Sequence, residues 1–557
     1  MNKFIAPSLL VAVAIVTWTR VRDINPSILG DEWVYLVSSR MTGMWDGGNT
    51  FLGNYLFNAT HKLTLLCGES FYSCAKAINL AFFLIFVVFV YMVARLLITE
   101  LSAYLVLVAT GLSPLSIYVS LYLPESLYFA CIGGAVYFLA RVLVEDRSIF
   151  WLISGGWLGL AALAKPHSFL SLIGVLVFLL VSALFNKGSF GSRVNPLLLF
   201  TSGFLIIRLA AGFILGGPSS LNFLNSYGAD GAIQQVIEGQ DTAAIPSDGL
   251  VGAGQLQGAV GLFSAQLAVH ALVLAAIIGI AIAVLIVNLF SLRRREQSLP
   301  LDRFALLVLI WLGVMVVAIV LFTGWVTGAG DDHTDRVLLR YYDFLFPFVF
   351  VAAIGLSEQS RFSSTKLYSR WISAGLVFTG LSIAFTGAFS SLEVQIADAP
   401  YLAGLVVDRF TYDAVAIIGT VGLLLLAFFP AYLKYVLVAA IVSTFPLMGI
   451  QIANQYELSR GAPNSADEIG KVAYNLLDPE DLNNTVVIAQ SRFDGRTISF
   501  WMDADNELLL LEAGSVVTAE NLPEEVAYII LDKAFEYSGG HSVIAENEIY
   551  SLILPDG

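Results

Sequence analysis

The sequence predicts a polytopic α-helical membrane protein carrying a small α/β domain at its C-terminus, and three observations lead there. Of 557 residues, 57% are hydrophobic and 13% charged, with a mean hydropathy of +0.78, more apolar surface than a soluble domain needs. Apolar segments of about twenty residues, the length that crosses a hydrocarbon layer, follow one another almost to residue 453. After Asn454 the character changes to charged residues spread between short β-prone runs. The expected division is a membrane domain over 1–453 and an extracytoplasmic α/β domain over 454–557. The net charge of −14 arises from loops and tail and reads as solvation of exposed parts; it offers nothing to a nucleic acid.

The first apolar segment, 4–18, is short and follows Lys3, as a signal peptide would, but no small-residue cleavage site follows it and it is kept as a helix. Further spans are expected near 78–98, 101–118, 122–143, 150–164, 168–185, 196–215, 262–290, 304–326, 337–356, 371–390, 414–430 and 433–453, about thirteen in all. Basic residues in short loops favour the cytoplasmic side. With the N-terminus inside, the inner loops hold Arg95, Lys187, Arg193, Arg293 to Arg295, Arg361, Lys366 and Arg370. The outer face then receives Val21 to Ala77, Gly217 to Gly261, the loop around Asp331 and the C-terminal domain. The expected location is a cytoplasmic membrane, in contact with its lipids.

In the tail, runs at Thr485 to Ala489, Glu507 to Leu511, Val526 to Leu531 and Ile549 to Leu554 suit buried strands and are too short to span a bilayer. Two glycosylation sequons, at Asn58 and Asn483, are short enough to arise by chance. Cys67 and Cys74 share the first outer loop. A continuous helix would separate them by roughly 10 Å, too far for a disulfide, so a bond requires a turn near Gly68; otherwise they are two buried thiols.

Ionisable residues near membrane depth are costly and mark sites or pairs. Five clusters stand out. Asp31-Glu32 follows the first span and could supply a base and its neighbour, or cap the helix that starts near Trp33. Glu125, in Pro124-Glu125-Ser126, opens the fourth span and also suits a helix dipole. Lys165-Pro166-His167 turns between two spans and could bind phosphate or lipid headgroups. Asp331-Asp332-His333-Thr334-Asp335-Arg336 is a dense loop whose carboxylates and imidazole suit Mg, Mn or Zn. Arg340-Tyr341-Tyr342-Asp343 enters the tenth span, where the arginine could snorkel or pair with a phosphate. Asp31, Glu125, Asp332 and His333 are the candidate ligands of a divalent cation.

All five clusters fall on the outer face under an orientation fixed by other residues. Carboxylates with several cations on one face are what transfer from a lipid phosphate requires. A base deprotonates the acceptor while cations stabilise the departing phosphate.

Gly30-Asp31-Glu32 after the first span, Pro124-Glu125-Ser126-Leu127, the Ala161-Ala162-Leu163-Ala164-Lys165-Pro166 turn and Arg340-Tyr341 before Pro347 together resemble the GT-C superfamily of polytopic glycosyltransferases, which includes protein O-mannosyltransferases and the aminoarabinose transferase of lipid A. The resemblance runs in order over roughly residues 1–360. It implies an inverting hexosyl or pentosyl transfer from a polyprenyl-phosphate-linked sugar to a lipid, glycan or protein acceptor. It assigns Asp31 as base with Glu32 beside it, Lys165 and Arg340 as donor-phosphate ligands, and Glu125 as a group orienting the acceptor or an ion. From the clusters themselves, His167 and Arg336 are further candidates for the donor phosphate, and Asp331, Asp332, His333 and Tyr341 for orienting the acceptor or an ion. The chain departs from the family in having Lys165-Pro166-His167 where many relatives carry arginine, and in lacking a second Asp-x-Asp motif.

Two other classes compete. A multi-pass transporter or flippase is expected to show inverted repeats and charges at the midplane, and neither is evident here. A polysaccharide polymerase is expected to centre on arginine and histidine in a large outer loop, and Gly217 to Gly261 contains neither residue.

Overall fold

The computed structural model describes residues 4–27, 31–41, 53–185, 190–221, 253–292, 299–327, 336–359, 367–389, 392, 394–523 and 525–556. Long helices dominate up to Arg460, and eight among the described residues are long and apolar enough to cross a membrane. Shorter apolar helices, Ile5–Val21, Glu100–Gly111, Ile149–Ala164 and Ser168–Ala183, accompany them. The expected spans coincide with helices, with three changes that matter for the site.

The span expected over 101–118 ends as a helix at Gly111, because Ser113 precedes Pro114 and is forced into extended geometry; a 3-10 turn, Pro114–Val119, follows. The span expected over 122–143 begins at Glu125, with Pro124 at its start. The span expected over 337–356 becomes a helix only from Phe346 to Glu358. Pro347 lies in its first turn, and continuing the helix upstream would set its ring against the carbonyl of residue 343. Residues 339–345 therefore wind as two 3-10 turns, Leu339–Tyr341 and Asp343–Leu345, so Arg340 and Tyr341 sit on a tight ledge above the helix.

Small residues bring some helices together backbone to backbone. A Cβ on Gly155 would stand 1.9 Å from the Phe200 carbonyl oxygen, and one on Gly203 would stand 2.0 Å from that of Leu152. Helices Ile149–Ala164 and Phe190–Gly216 thus approach at a distance only glycine permits, which anchors the turn carrying Lys165.

The last long helix, Leu433–Arg460, continues past the expected boundary at 453. Beyond it a five-stranded sheet forms in the order β2-β1-β4-β7-β6, from β1 (Thr485–Ala489), β2 (Leu508–Leu510), β4 (Tyr528–Asp532), β6 (His541–Glu546) and β7 (Tyr550–Pro555). β1 pairs in parallel with β2 and β4, whereas β7 runs antiparallel to β4 and β6. A separate pair joins β3 (Val516–Val517) to β5 (Glu536–Tyr537). Helices Ser465–Leu476 and Arg492–Met502 share a core with the sheet, through Ile469, Ala473 and Ile498 packed with Val487, Ile530 and Leu552.

This domain grips the segment that follows the first helix. Arg460 donates from Nε to the Pro26 carbonyl at 2.7 Å and from Nη2 to both oxygens of Asp467 at 2.8 and 2.9 Å, while its own carbonyl accepts the backbone N–H of Asn25. Asp467 also accepts the indole N–H of Trp501 at 2.7 Å and the backbone N–H of Asn464 at 2.8 Å. Arg40 forms a second bridge, to Asp503. Burial works against its charge, but the hydrogen bond and charge of Asp503 more than offset that and raise its pKa. Cys67 and Cys74 are bonded across a turn in which Gly68 adopts φ +51°, the turn that the sequence required.

Candidate functional site

Arg460 holds Pro26, and five residues later Asp31 opens helix Asp31–Arg40, whose last residue bonds to Asp503. The two adjacent carboxylates separate at once. Asp31 is half-exposed and faces Arg340, with Oδ2 3.4 Å from Nη1. Glu32 is buried and accepts the backbone N–H of Tyr122 at 2.7 Å, that of Ser27 at 2.8 Å and the Tyr72 hydroxyl at 3.3 Å. It ties three segments together around Asp31.

Arg340 is the centre of the arrangement. Its Nε lies 3.2 Å from Asp398 Oδ1, its backbone N–H donates to the Asp398 carbonyl at 2.8 Å, and its guanidinium carbon is 5.3 Å from the Tyr341 ring centre. Asp398 also takes the Arg336 guanidinium, whose Nη2 further donates to Gln395 at 2.7 Å. One buried carboxylate therefore orients both arginines, with side chains only 16% and 23% exposed. Asp398 and Gln395 were not expected from the sequence. The signal was present, since the same charge rule puts the segment after the 371–390 span on the outer face.

The Lys165 turn meets this ledge from the other side. Lys165 Nζ lies 2.5 Å from Glu125 Oε1, both buried, and stands 4.9 Å from the centre of the Tyr341 ring. The His167 ring packs on the same tyrosine at 4.3 Å between centres. Tyr341 thus gathers Arg340, Lys165 and His167 about one phenol. Glu125 Oε2 and both oxygens of Asp343, a fully buried residue, have no hydrogen-bond partner among the described residues.

Four of the five clusters accordingly converge, through pairs that span 40 residues between Glu125 and Lys165 and 309 between Asp31 and Arg340. Of the fifth, Arg336 joins through Asp398; Asp331, Asp332 and His333 lie outside the described residues. Of the four candidate metal ligands, Asp332 and His333 lie outside the described residues. Asp31 is paired with Arg340 and Glu125 with Lys165, and among the described residues no three acidic, histidine or cysteine groups cluster at ligand distance.

Residues 51–209 match the profile of the dolichyl-phosphate-mannose-protein mannosyltransferase family. The resemblance to the GT-C superfamily is borne out. Solved structures similar to this chain include ArnT from Cupriavidus metallidurans bound to undecaprenyl phosphate, at 16% identity and a TM-score of 0.49, covering 99% of this chain and 98% of that one. The archaeal oligosaccharyltransferase AglB from Archaeoglobus fulgidus, in complex with an inhibitory peptide and a dolichol-phosphate, is 14% identical with a TM-score of 0.47, covering 95% of this chain and 69% of that one. The arabinosyltransferase EmbB from Mycobacterium smegmatis is 12% identical with a TM-score of 0.43, covering 82% and 41% respectively. No curated protein sequence matches the chain.

Proposed function

We propose that the chain is an inverting glycosyltransferase that moves a sugar from a polyprenyl-phosphate donor to a hydroxyl-bearing acceptor on the outer face of a cytoplasmic membrane, with Asp31 as base. The observation that carries this reading is the half-exposed Asp31 carboxylate 3.4 Å from Arg340, beside the Lys165–Glu125 pair. The matched family is named for dolichyl-phosphate mannose, a donor of that class.

In this reading Asp31 takes the proton of the acceptor hydroxyl as its oxygen attacks the anomeric carbon. The bond from that carbon to the phosphate oxygen breaks on the opposite face, inverting the centre. Arg340, Arg336 and Lys165 receive the leaving lipid phosphate, with His167 lining that side. Asp398 holds the two arginines in place before the donor arrives, which lowers the reorganisation the reaction requires. Glu32 positions the base and does not share its work, because its oxygens are engaged by the Ser27 and Tyr122 amides. Glu125 Oε2 and Asp343 supply acceptors for sugar hydroxyls, and Tyr341 forms the floor. No step is assigned to a metal.

The test is transfer of radiolabelled sugar from polyprenyl-phosphate donors to total cell-envelope acceptors in membranes holding the wild type or Asp31→Asn. Label that depends on Asp31 supports the reading and its product names the acceptor. Equal label in both removes Asp31 as base, and label in neither favours a transporter or polymerase.

A further inference from the structure

The grip of the C-terminal domain on the segment that follows the first helix leaves a shallow cleft, formed by Pro26, Ser27 and Trp33 on one side and Phe493, Arg496 and Phe500 on the other. Trp33 lies two residues beyond Asp31 on the same helix, and its indole N–H donates to the Ala504 carbonyl at 3.3 Å, which fixes the ring. The Arg496 guanidinium stands 3.7 Å from the centre of that ring. Among the described residues Arg496 makes no hydrogen bond and no ion pair, in a chain with 43 acidic against 29 basic residues. Glu32 also lines the cleft, but its oxygens are taken by the Ser27 and Tyr122 amides.

A cation held against an aromatic face keeps its N–H edge available, and a guanidinium edge matches two oxygens of a phosphate or carboxylate. Burial and the neighbouring Arg492 lower the pKa of Arg496, and the charge of Asp505 offsets this only in part. The walls supplied by Phe493, Phe500 and Trp33 suit an apolar stretch or a pyranose face beside that charge.

We propose that this cleft is the acceptor's anion subsite: Arg496 binds an oxyanion on the part of the acceptor that does not react, while Trp33, Phe493 and Phe500 pack the group next to it. This rests on the glycosyltransferase reading and extends it, since the C-terminal domain then selects acceptors by charge beside the helix that begins at Asp31.

The test uses full-length protein in detergent micelles, with phenyl phosphate and phenylacetate as probes and the shift in melting temperature as readout. Wild type, Asp31→Asn and Arg340→Gln should all respond, Arg496→Gln should lose the response, and Arg496→Lys should keep part of it. Arg496→Lys retains the charge and decides the matter if Arg496→Gln does not fold. A response to one probe alone identifies the oxyanion as phosphate or carboxylate. An undiminished shift in the Arg496 variants, a shift lost in Arg340→Gln instead, or no shift with either probe in wild type overturns the proposal. In the transfer assay Arg496→Gln should raise the acceptor KM about tenfold with donor KM unchanged; a fall in kcat at constant acceptor KM would contradict it. Absence of transfer in wild type would remove the glycosyltransferase reading and leave the binding result standing.

Discussion

Two sets of arginine–aspartate pairs join distant parts of this chain, and they are built differently. In the clamp, Arg460 and Asp467 are nearly inaccessible, their contacts lie at 2.8 and 2.9 Å, and Asp467 is further engaged by Trp501 and Asn464. Around Arg340 the contacts to Asp31 and Asp398 are longer, at 3.4 and 3.2 Å, Asp31 is half-exposed, and Glu125 and Asp343 retain oxygens without partners. A closed network fixes geometry and has nothing left for a ligand, whereas an incomplete one holds its charges ready for a group that arrives later. On the proposed reading the clamp serves stability and the Arg340 cluster binding, although both use the same two residue types.

Substitutions should separate the two. Asp31→Asn should reduce kcat by at least about a hundredfold without altering membrane insertion or melting, as loss of a general base does; an accompanying fall in melting temperature would mean that Asp31 also supports the fold. Arg460→Ala leaves Asp467 buried without its cation and should destabilise the C-terminal domain by about 3 kcal/mol, read as earlier thermal unfolding and faster proteolysis after residue 460. Arg340→Gln should raise the donor KM by roughly 10- to 100-fold, the cost of one lost charge-assisted contact, while thermal unfolding stays near wild type. Reduction of Cys67–Cys74 should matter least, lowering stability by roughly 2 kcal/mol because it frees a short loop, with both KM values unchanged. If Arg340→Gln unfolded the protein as readily as Arg460→Ala, the distinction between closed and open networks would fail.

Much of this was legible in the sequence because it is local. Hydropathy located the helices, and the runs at Thr485, Glu507, Val526 and Ile549 became β1, β2, β4 and β7. The charge rule put Asp31, Glu125, Lys165 and Arg340 on one face, where they meet. The divergent placement of Asp31 and Glu32 was not legible: consecutive residues on a helix point about 100° apart, so their roles depend on where the helix starts. Pro347 carried the signal for the break that turns Arg340 onto a ledge, but hydropathy smoothed over it. The charge rule put Asp398 on the right face but could not pair it with Arg340, and the clamp pairs could not be found by pattern, since each joins segments whose contact only the folded chain defines. β6 also escaped, because its apolar run, Val543-Ile544-Ala545, is only three residues long between polar neighbours, and the strand is mostly exposed.

The bond from Asn25 to the Arg460 carbonyl spans 435 residues of chain. A ribosome makes the segment that leads to Asp31 near the beginning of translation and the residues that hold it near the end. Through most of synthesis that segment therefore lacks the hold of Arg460, and on the proposed reading a chain truncated before Arg460 should show no transfer in the membrane assay.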